Sequence, residues 1–192
     1  MNNQRNTVLG CAVFIFLLLI LQNFSTALEL DRHHVLSGEV WRIWTSHFVH
    51  SNMPHLLLNM MAALFIYFSF FTKISLTELL VCSLTFSALI SIALLFFLPD
   101  LDWYNGLSGL LHALVAYFSI RIAVKTKVYW IGASLVWIKV LTEATMNFSD
   151  TYFINDMNVI TEAHLIGAFI GSLFAIISIV LSHLGVTLSR PN

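Results

Sequence analysis

Residues 105–112 read Asn-Gly-Leu-Ser-Gly-Leu-Leu-His, and they open an apolar run that continues to Val124. A membrane-spanning helix needs about 20 mostly apolar residues, so the run predicts such a helix. Its polar start is unexpected, because an unpaired polar group in hydrocarbon costs several kcal/mol. The polar side chains at this start are therefore candidates for a functional site.

Five similar apolar runs accompany this one, separated by segments that carry Pro, Gly, Asn or charge. The predicted spans are residues 8–28, 53–71, 75–98, 107–124, 128–145 and 163–184. Hydrophobic residues make up 58% of the chain and charged residues only 10%. Soluble domains carry about 25% charged residues, which excludes a soluble protein. We predict an all-α membrane protein, a six-transmembrane-helix bundle that forms one domain over residues 1–192.

The basic residues predict the orientation of the bundle. With the N-terminus inside, the outer loops keep only Arg32 and Arg42. The inner side then holds Arg5, Lys73, Arg121, Lys125, Lys127 and Arg190. We therefore place the chain in a bacterial inner membrane as a multi-pass protein, with the N-terminus cytoplasmic. A cleavable signal peptide is the alternative for the first run, but that run is long for one.

The second and sixth runs also open with polar residues, and in this orientation they start on the same outer side as the fourth. His55 and Asn59 are four residues apart in the second run and share a helix face. In the sixth run, His164 precedes the close-packing step Gly167-x-x-x-Gly171. If that step meets Gly109, His164 can reach the Ser108 hydroxyl, as serine catalysis requires.

These residues resemble the rhomboid family of intramembrane serine proteases. The resemblance rests on four motifs in order over residues 41–171. The motifs are Trp41-Arg42, His50 with His55-Leu-Leu-Leu-Asn59, Gly106-Leu-Ser108-Gly109, and Ala163-His164-Leu-Ile-Gly167-Ala-Phe-Ile-Gly171. The resemblance implies a protease that needs no cofactor or metal and acts within the lipid bilayer.

By this resemblance, Ser108 is the nucleophile and His164 is the general base. The Ser108 backbone N–H, His55 and Asn59 would support the oxyanion, next to Gly106. Trp41 and Arg42 would shape the first loop, and His50 would line a polar cavity that opens to the outer, periplasmic side. Gly109, Gly167 and Gly171 would allow close helix packing.

The chain departs from the family pattern at His112, where a typical rhomboid has Tyr. This residue would pack near His164. The compact chain and the Ser-Gly-x-x-His pattern resemble the rhombosortase branch, whose substrates carry a C-terminal Gly-Gly segment, an apolar helix and a basic tail. The implied partners are membrane-anchored proteins with such helix-destabilising tails. A net charge of −1 gives no reason to expect nucleic acid as a partner.

No acidic residue has a spacing that clearly orients His164, so we expect a Ser-His dyad. Glu143 follows Lys139 by four residues, and the two are expected to pair within their helix. Transfer to an amine instead of hydrolysis remains open. Two other functions also remain: an inactive rhomboid-like protein that binds transmembrane helices, and a metal-binding or transport protein using His47, His50 and His55.

Overall fold

The computed structural model describes residues 2–70, 72–146 and 159–185, and most of them are helical. The six long helices are α1 (Asn2–Leu21), α5 (Met53–Phe70), α6 (Leu76–Phe97), α7 (Ser108–Ala123), α8 (Trp130–Met146) and α9 (Thr161–His183). Three short helices lie between α1 and α5, namely α2 (Ser25–Leu28), α3 (Arg32–Leu36) and α4 (Arg42–Thr45). The prediction of a mostly helical chain is confirmed.

The later five helices agree closely with the predicted runs, but the first run is not one continuous helix. Helix α1 ends at Leu21, and a 3₁₀ turn over Gln22–Phe24 leads into α2. The side chain of Asn23 donates to the backbone oxygens of Leu19 and Ile20, which a continuing helix would have used. Such competition by an Asn side chain favours a helix end.

Four helical segments are long and apolar enough to cross a membrane: Leu9–Leu28, which includes the 3₁₀ turn and α2, Met53–Phe70, Leu76–Phe97 and Thr161–His183. Helix α7 is apolar but has 16 residues, and α8 has 17. At 1.5 Å per residue, 16 residues reach about 24 Å, less than the roughly 30 Å of a hydrocarbon core. By length alone, the described residues therefore show four membrane helices, and six spans stay a prediction.

Helix α7 lies at the centre of the bundle. It is buried along most of its length and contacts α5, α6, α8 and α9, with its most extensive contact on α9. Two glycines of α9 make this contact close. A Cβ added to Gly167 would overlap the backbone oxygen of Gly109, and one added to Gly171 would overlap that of Ala113. The predicted close packing of these two helices is therefore present.

The segments between the helices at one end of the bundle are tied to each other. Strand β1 (Leu30–Asp31) pairs antiparallel with β2 (Trp103–Tyr104), with Leu30 opposite Tyr104. The guanidinium of Arg32 donates to the backbone oxygens of Leu95, Leu98 and Leu101. These bonds attach the segment after α1 to the segment that leads into α7.

Replacement of Gly171 by Ala tests the close packing of α7 on α9. Alanine favours helix over glycine by about 1 kcal/mol, so helix propensity alone predicts stabilisation. The added Cβ meets backbone, which a side-chain rotation cannot relieve, and overpacking typically costs about 1–3 kcal/mol. We expect Gly171→Ala to lower the thermal unfolding temperature of the purified protein in detergent.

Gly10→Ala is the matched control, because a Cβ at Gly10 meets nothing within 4 Å. It should leave the unfolding temperature unchanged or raise it. Equal changes of the unfolding temperature in Gly171→Ala and Gly10→Ala would show that α7 and α9 do not approach closely.

Candidate active site

The start of α7 holds Ser108 in an ordered frame of backbone contacts. Gly106, just before it, has a φ of +123°, a conformation that favours glycine. The Gly106 N–H donates to the Ser46 backbone oxygen at 3.0 Å, and the Tyr104 hydroxyl donates to the Gly106 oxygen at 2.8 Å. These hydrogen bonds fix the position of Ser108 at the start of α7. The first backbone N–H groups of a helix have no intrahelical partner.

His164 meets Ser108 from the neighbouring helix. Its Nε2 lies 2.8 Å from the Ser108 Oγ, and the residue is only 4% exposed. The glycine contacts between α7 and α9 bring the two backbones close enough for this hydrogen bond. The structure thus brings the predicted nucleophile and base together, and their catalytic roles stay predictions.

The sequence spacing indicated no acidic residue that orients His164, but the structure places one beside it. Oε2 of Glu143, near the end of α8, lies 2.9 Å from His164 Nδ1. The other carboxylate oxygen, Oε1, lies 2.5 Å from the Lys139 Nζ, so the predicted Lys139–Glu143 pair is confirmed. Glu143 and His164 are 21 residues apart in the chain, and sequence spacing does not show which face of α8 meets α9.

His112 packs on the imidazole of His164, as expected. The two rings are stacked, with centroids 4.4 Å apart and planes 18° apart. His112 Nδ1 lies 2.7 Å from the backbone oxygen of Ser108. A carbonyl oxygen only accepts, so Nδ1 of His112 carries the proton and donates it. His112 therefore covers one face of the His164 ring while bonded to its own helix.

His55, which is predicted to support an oxyanion, and His50 lie beside the residues that lead into α7. The His55 ring lies against Gly106, where an added Cβ would come within 2.9 Å of His55 Cε1. His50 Nε2 accepts from the Leu107 N–H at 3.4 Å and stands edge-on to His55, with ring centroids 5.0 Å apart. Asn59 is buried, and its Nδ2 donates to the His55 backbone oxygen at 3.1 Å. Their part in oxyanion binding stays a prediction.

Buried ring nitrogens in this group have unused hydrogen-bonding capacity. Among the described residues, Nδ1 of His50 and Nδ1 of His55 are buried without a hydrogen-bond partner. Burial, and then the nearby charge of His55, lowers the pKa of His50 to about 3. His50 is consequently neutral near pH 7. Since its Nε2 accepts from Leu107, its Nδ1 carries the proton and is a buried donor without a partner.

The first loop is fixed by Arg42, which is buried, while Trp41 is 48% exposed. The Arg42 guanidinium donates to the backbone oxygens of Thr26 and Glu29 and to the carboxylate of Glu39. Glu29 in turn accepts from the Asn105 Nδ2 at 3.1 Å. A chain of hydrogen bonds therefore joins the first loop to the residues just before Ser108.

The structure does not bring His47, His50 and His55 together as metal ligands. The His47 Nε2 instead contacts the Ser87 backbone oxygen and the Ser91 hydroxyl, both at 3.0 Å. Burial lowers the pKa of His47 to about 4. His47 is therefore a neutral, hydrogen-bonded core residue between the first loop and α6.

Two groups of possible metal ligands occur among the described residues: Asp31 with His33 and His34, and His112 with Glu143 and His164. The second group coincides with the contacts of Ser108. Its imidazole planes lie nearly parallel, so their in-plane lone pairs do not converge on one point. Zinc takes such nitrogens at about 2.0–2.1 Å along the lone pair, so this geometry does not favour a metal.

Two site residues were missed from the sequence, Glu143 and Tyr104. A signal for Glu143 was present, because a carboxylate within an apolar run is a functional candidate. In the predicted orientation α8 ends on the outer side, at the depth where α7 and α9 begin. Tyr104 carried no comparable signal, because a tyrosine near the end of an apolar run is common at membrane interfaces.

Comparison with known families agrees with this geometry. The family model described as the Rhomboid domain matches residues 37–181, well over half of the chain. The matched range contains the first-loop Trp41, the start of α7 and both glycines of α9. No match to a curated protein was found. The chain therefore belongs to the rhomboid family.

Proposed function

We propose that this chain is an intramembrane serine endopeptidase in which Ser108 is the nucleophile and His164 the general base. Membership of the rhomboid family supports intramembrane protease activity in general. The observation that carries the residue assignment is the 2.8 Å contact between Ser108 Oγ and His164 Nε2. This distance lies within the 2.6–3.2 Å that nucleophile and base require.

The proposed reaction follows from the hydroxyl proton of Ser108, which faces His164 Nε2. Ser108 Oγ bonds to the carbonyl carbon of the substrate peptide as His164 Nε2 takes the hydroxyl proton. When the C–N bond breaks, His164 returns that proton to the leaving amine, and an acyl ester remains on Ser108. Water, activated by His164, then releases the acyl group. A different amine in place of water would give transfer instead of hydrolysis.

The negative charge on the carbonyl oxygen needs donors beside Ser108. The Ser108 backbone N–H at the start of α7 is one candidate, since early helix N–H groups lack intrahelical partners. His55 and Asn59 are the others, because both are buried side chains of α5 and the His55 ring lies against Gly106. Donors preorganised in a water-poor site of this kind contribute about 2.7–4 kcal/mol each to catalysis.

We further propose that all six long helices cross the membrane, with the N-terminus cytoplasmic and the active site toward the periplasm. The alternation of spans supports this, because α7 and α9 then begin on the side where α8 ends. Glu143, near the end of α8, does lie beside His164 of α9. The short α7 is enclosed by other helices, so a length of 16 residues does not oppose it as a central span.

The proposed substrates are membrane-anchored proteins with a helix-destabilising C-terminal segment, as in the rhombosortase branch. The substrate helix must unwind before Ser108 can attack a peptide bond. A Gly-Gly segment makes this easier, because glycine disfavours helix by about 1 kcal/mol per residue relative to alanine. The stacked His112, where a typical rhomboid has Tyr, is the feature that supports this branch.

Labelling by a fluorophosphonate probe tests the nucleophile, because the probe reacts only with an activated serine. We expect the wild-type protein to take up one probe on Ser108 and Ser108→Ala to take up none. His164→Ala should lose nearly all labelling, since no other base among the described residues contacts the hydroxyl. Intact-protein mass and peptide mapping would measure both results.

Ser119→Ala is the matched control for this experiment. Ser119 is a buried serine of the same helix, and an added Cβ at Gly132 would come within 2.6 Å of its hydroxyl oxygen. This variant should label like wild type. Labelling of Ser108→Ala at the wild-type rate would exclude Ser108 as nucleophile, and absence of labelling in the wild type would favour an inactive helix-binding protein.

Asn59→Ala tests the oxyanion donors through cleavage of a Gly-Gly-tailed reporter. Loss of one donor typically lowers kcat by about 10²–10³, so we expect weak but measurable cleavage and an almost unchanged KM. Unfolding temperature should be followed in parallel, because Asn59 also bonds the His55 backbone. Wild-type kcat in this variant would remove Asn59 from the proposal.

A further inference from the structure

Helix α8 carries two ionised side chains within an apolar sequence, Lys139 and Glu143. The Glu143 side chain is 18% exposed and that of Lys139 is 49% exposed. An i,i+4 pair on an exposed helix contributes only about 0.3–0.5 kcal/mol. Charged residues inside membrane helices are costly and most often functional. The small stabilising effect of the pair does not account for its position beside His164.

The carboxylate of Glu143 divides its two oxygens between two partners. Oε1 lies 2.5 Å from the Lys139 Nζ, and Oε2 lies 2.9 Å from His164 Nδ1. The opposite ring nitrogen of His164 faces Ser108 at 2.8 Å. Lys139, Glu143, His164 and Ser108 thus form one continuous line of polar contacts across three helices.

This arrangement determines which nitrogen of His164 carries the proton. A carboxylate only accepts hydrogen bonds, so Nδ1 must be the protonated nitrogen. Nε2 then keeps a free lone pair and can accept the proton of the Ser108 hydroxyl. The Lys139 Nζ lies 3.4 Å from Nδ1, and as a pure donor it would favour the opposite tautomer if the carboxylate were absent.

We propose, as an inference that rests on the proposed protease function, that Glu143 is a positioning residue that holds His164 in its reactive tautomer. Lys139 supports it by binding the other carboxylate oxygen. The carboxylate also stabilises the imidazolium that forms when His164 takes the proton. His112 stacks on the ring and limits its rotation. Ser108, His164 and Glu143 would therefore act together, whereas the sequence predicted only Ser108 and His164.

The glutamine variant separates this role from simple packing. In Glu143→Gln, Lys139 has only protons to donate and therefore takes the amide oxygen. The amide NH₂ then faces His164 Nδ1 and selects the tautomer with a proton on Nε2, which cannot accept from Ser108. In soluble triads the corresponding change lowers kcat by about 10⁴. We expect the maximum rate of fluorophosphonate labelling to fall by about 10²–10⁴-fold, with unchanged half-saturation.

A double variant gives the sharpest test. When Lys139→Met is added to Glu143→Gln, the amide can turn its oxygen toward Nδ1 and restore the reactive tautomer. The double variant should therefore label faster than Glu143→Gln alone, although it carries one more substitution. Glu143→Asp, which keeps a carboxylate, should also recover part of the rate. A merely structural role predicts no gain from the second substitution.

Glu78→Gln is the matched control, since Glu78 is the other carboxylate of the described helices that pairs with a cation, Arg121. It should label at the wild-type rate. If the wild type labels on Ser108 and Glu143→Gln labels equally fast, the positioning role is excluded while the protease stands. A double variant no faster than Glu143→Gln would overturn the tautomer argument. If the wild type does not label, the protease itself fails.

Discussion

The close approach of α7 and α9 is the constraint on which the site depends. Two glycines of α9, Gly167 and Gly171, lie against backbone oxygens of α7 where no side chain would fit. Without a hydrophobic effect inside lipid, helices associate by such close packing and by interhelical hydrogen bonds. The backbones are thereby near enough for an imidazole on one helix to reach a hydroxyl on the other. The contacts of His164 with Ser108 and His112, both in α7, depend on this spacing.

The loops at the same end of the bundle complete the frame. Arg42 binds the end of α2, Glu29 binds Asn105, and Gly106 binds the Ser46 backbone. Each bond satisfies a polar group that the apolar surroundings would otherwise leave unpaired. The start of α7 is consequently held from the first loop as well as from α9. A site fixed in this way keeps its geometry through contacts with both the first loop and α9.

Much of the fold followed from hydropathy, because apolar length identifies membrane helices almost independently of their neighbours. The later five helices lie within a few residues of the predicted runs. The break after Leu21 was not predicted, since it depends on Asn23 binding the carbonyls of the preceding turn. Ser108 and His164 could be paired from shared depth and glycine spacing. The contact of Glu143 with His164 could not be predicted in this way. It depends on how α8 is rotated about its axis, which the sequence does not specify.

We propose that Ser108 attacks the substrate carbonyl while the Ser108 N–H, His55 and Asn59 bind the oxyanion that forms on the substrate. The most direct test is a crystal structure of the phosphonylated protein in a lipid environment. We expect phosphorus bonded to Ser108 Oγ, with the phosphonyl oxygen within hydrogen-bond distance of the Ser108 N–H and the His55 or Asn59 side chain. Phosphorus bonded to another residue, or a phosphonyl oxygen directed away from all three donors, would contradict it.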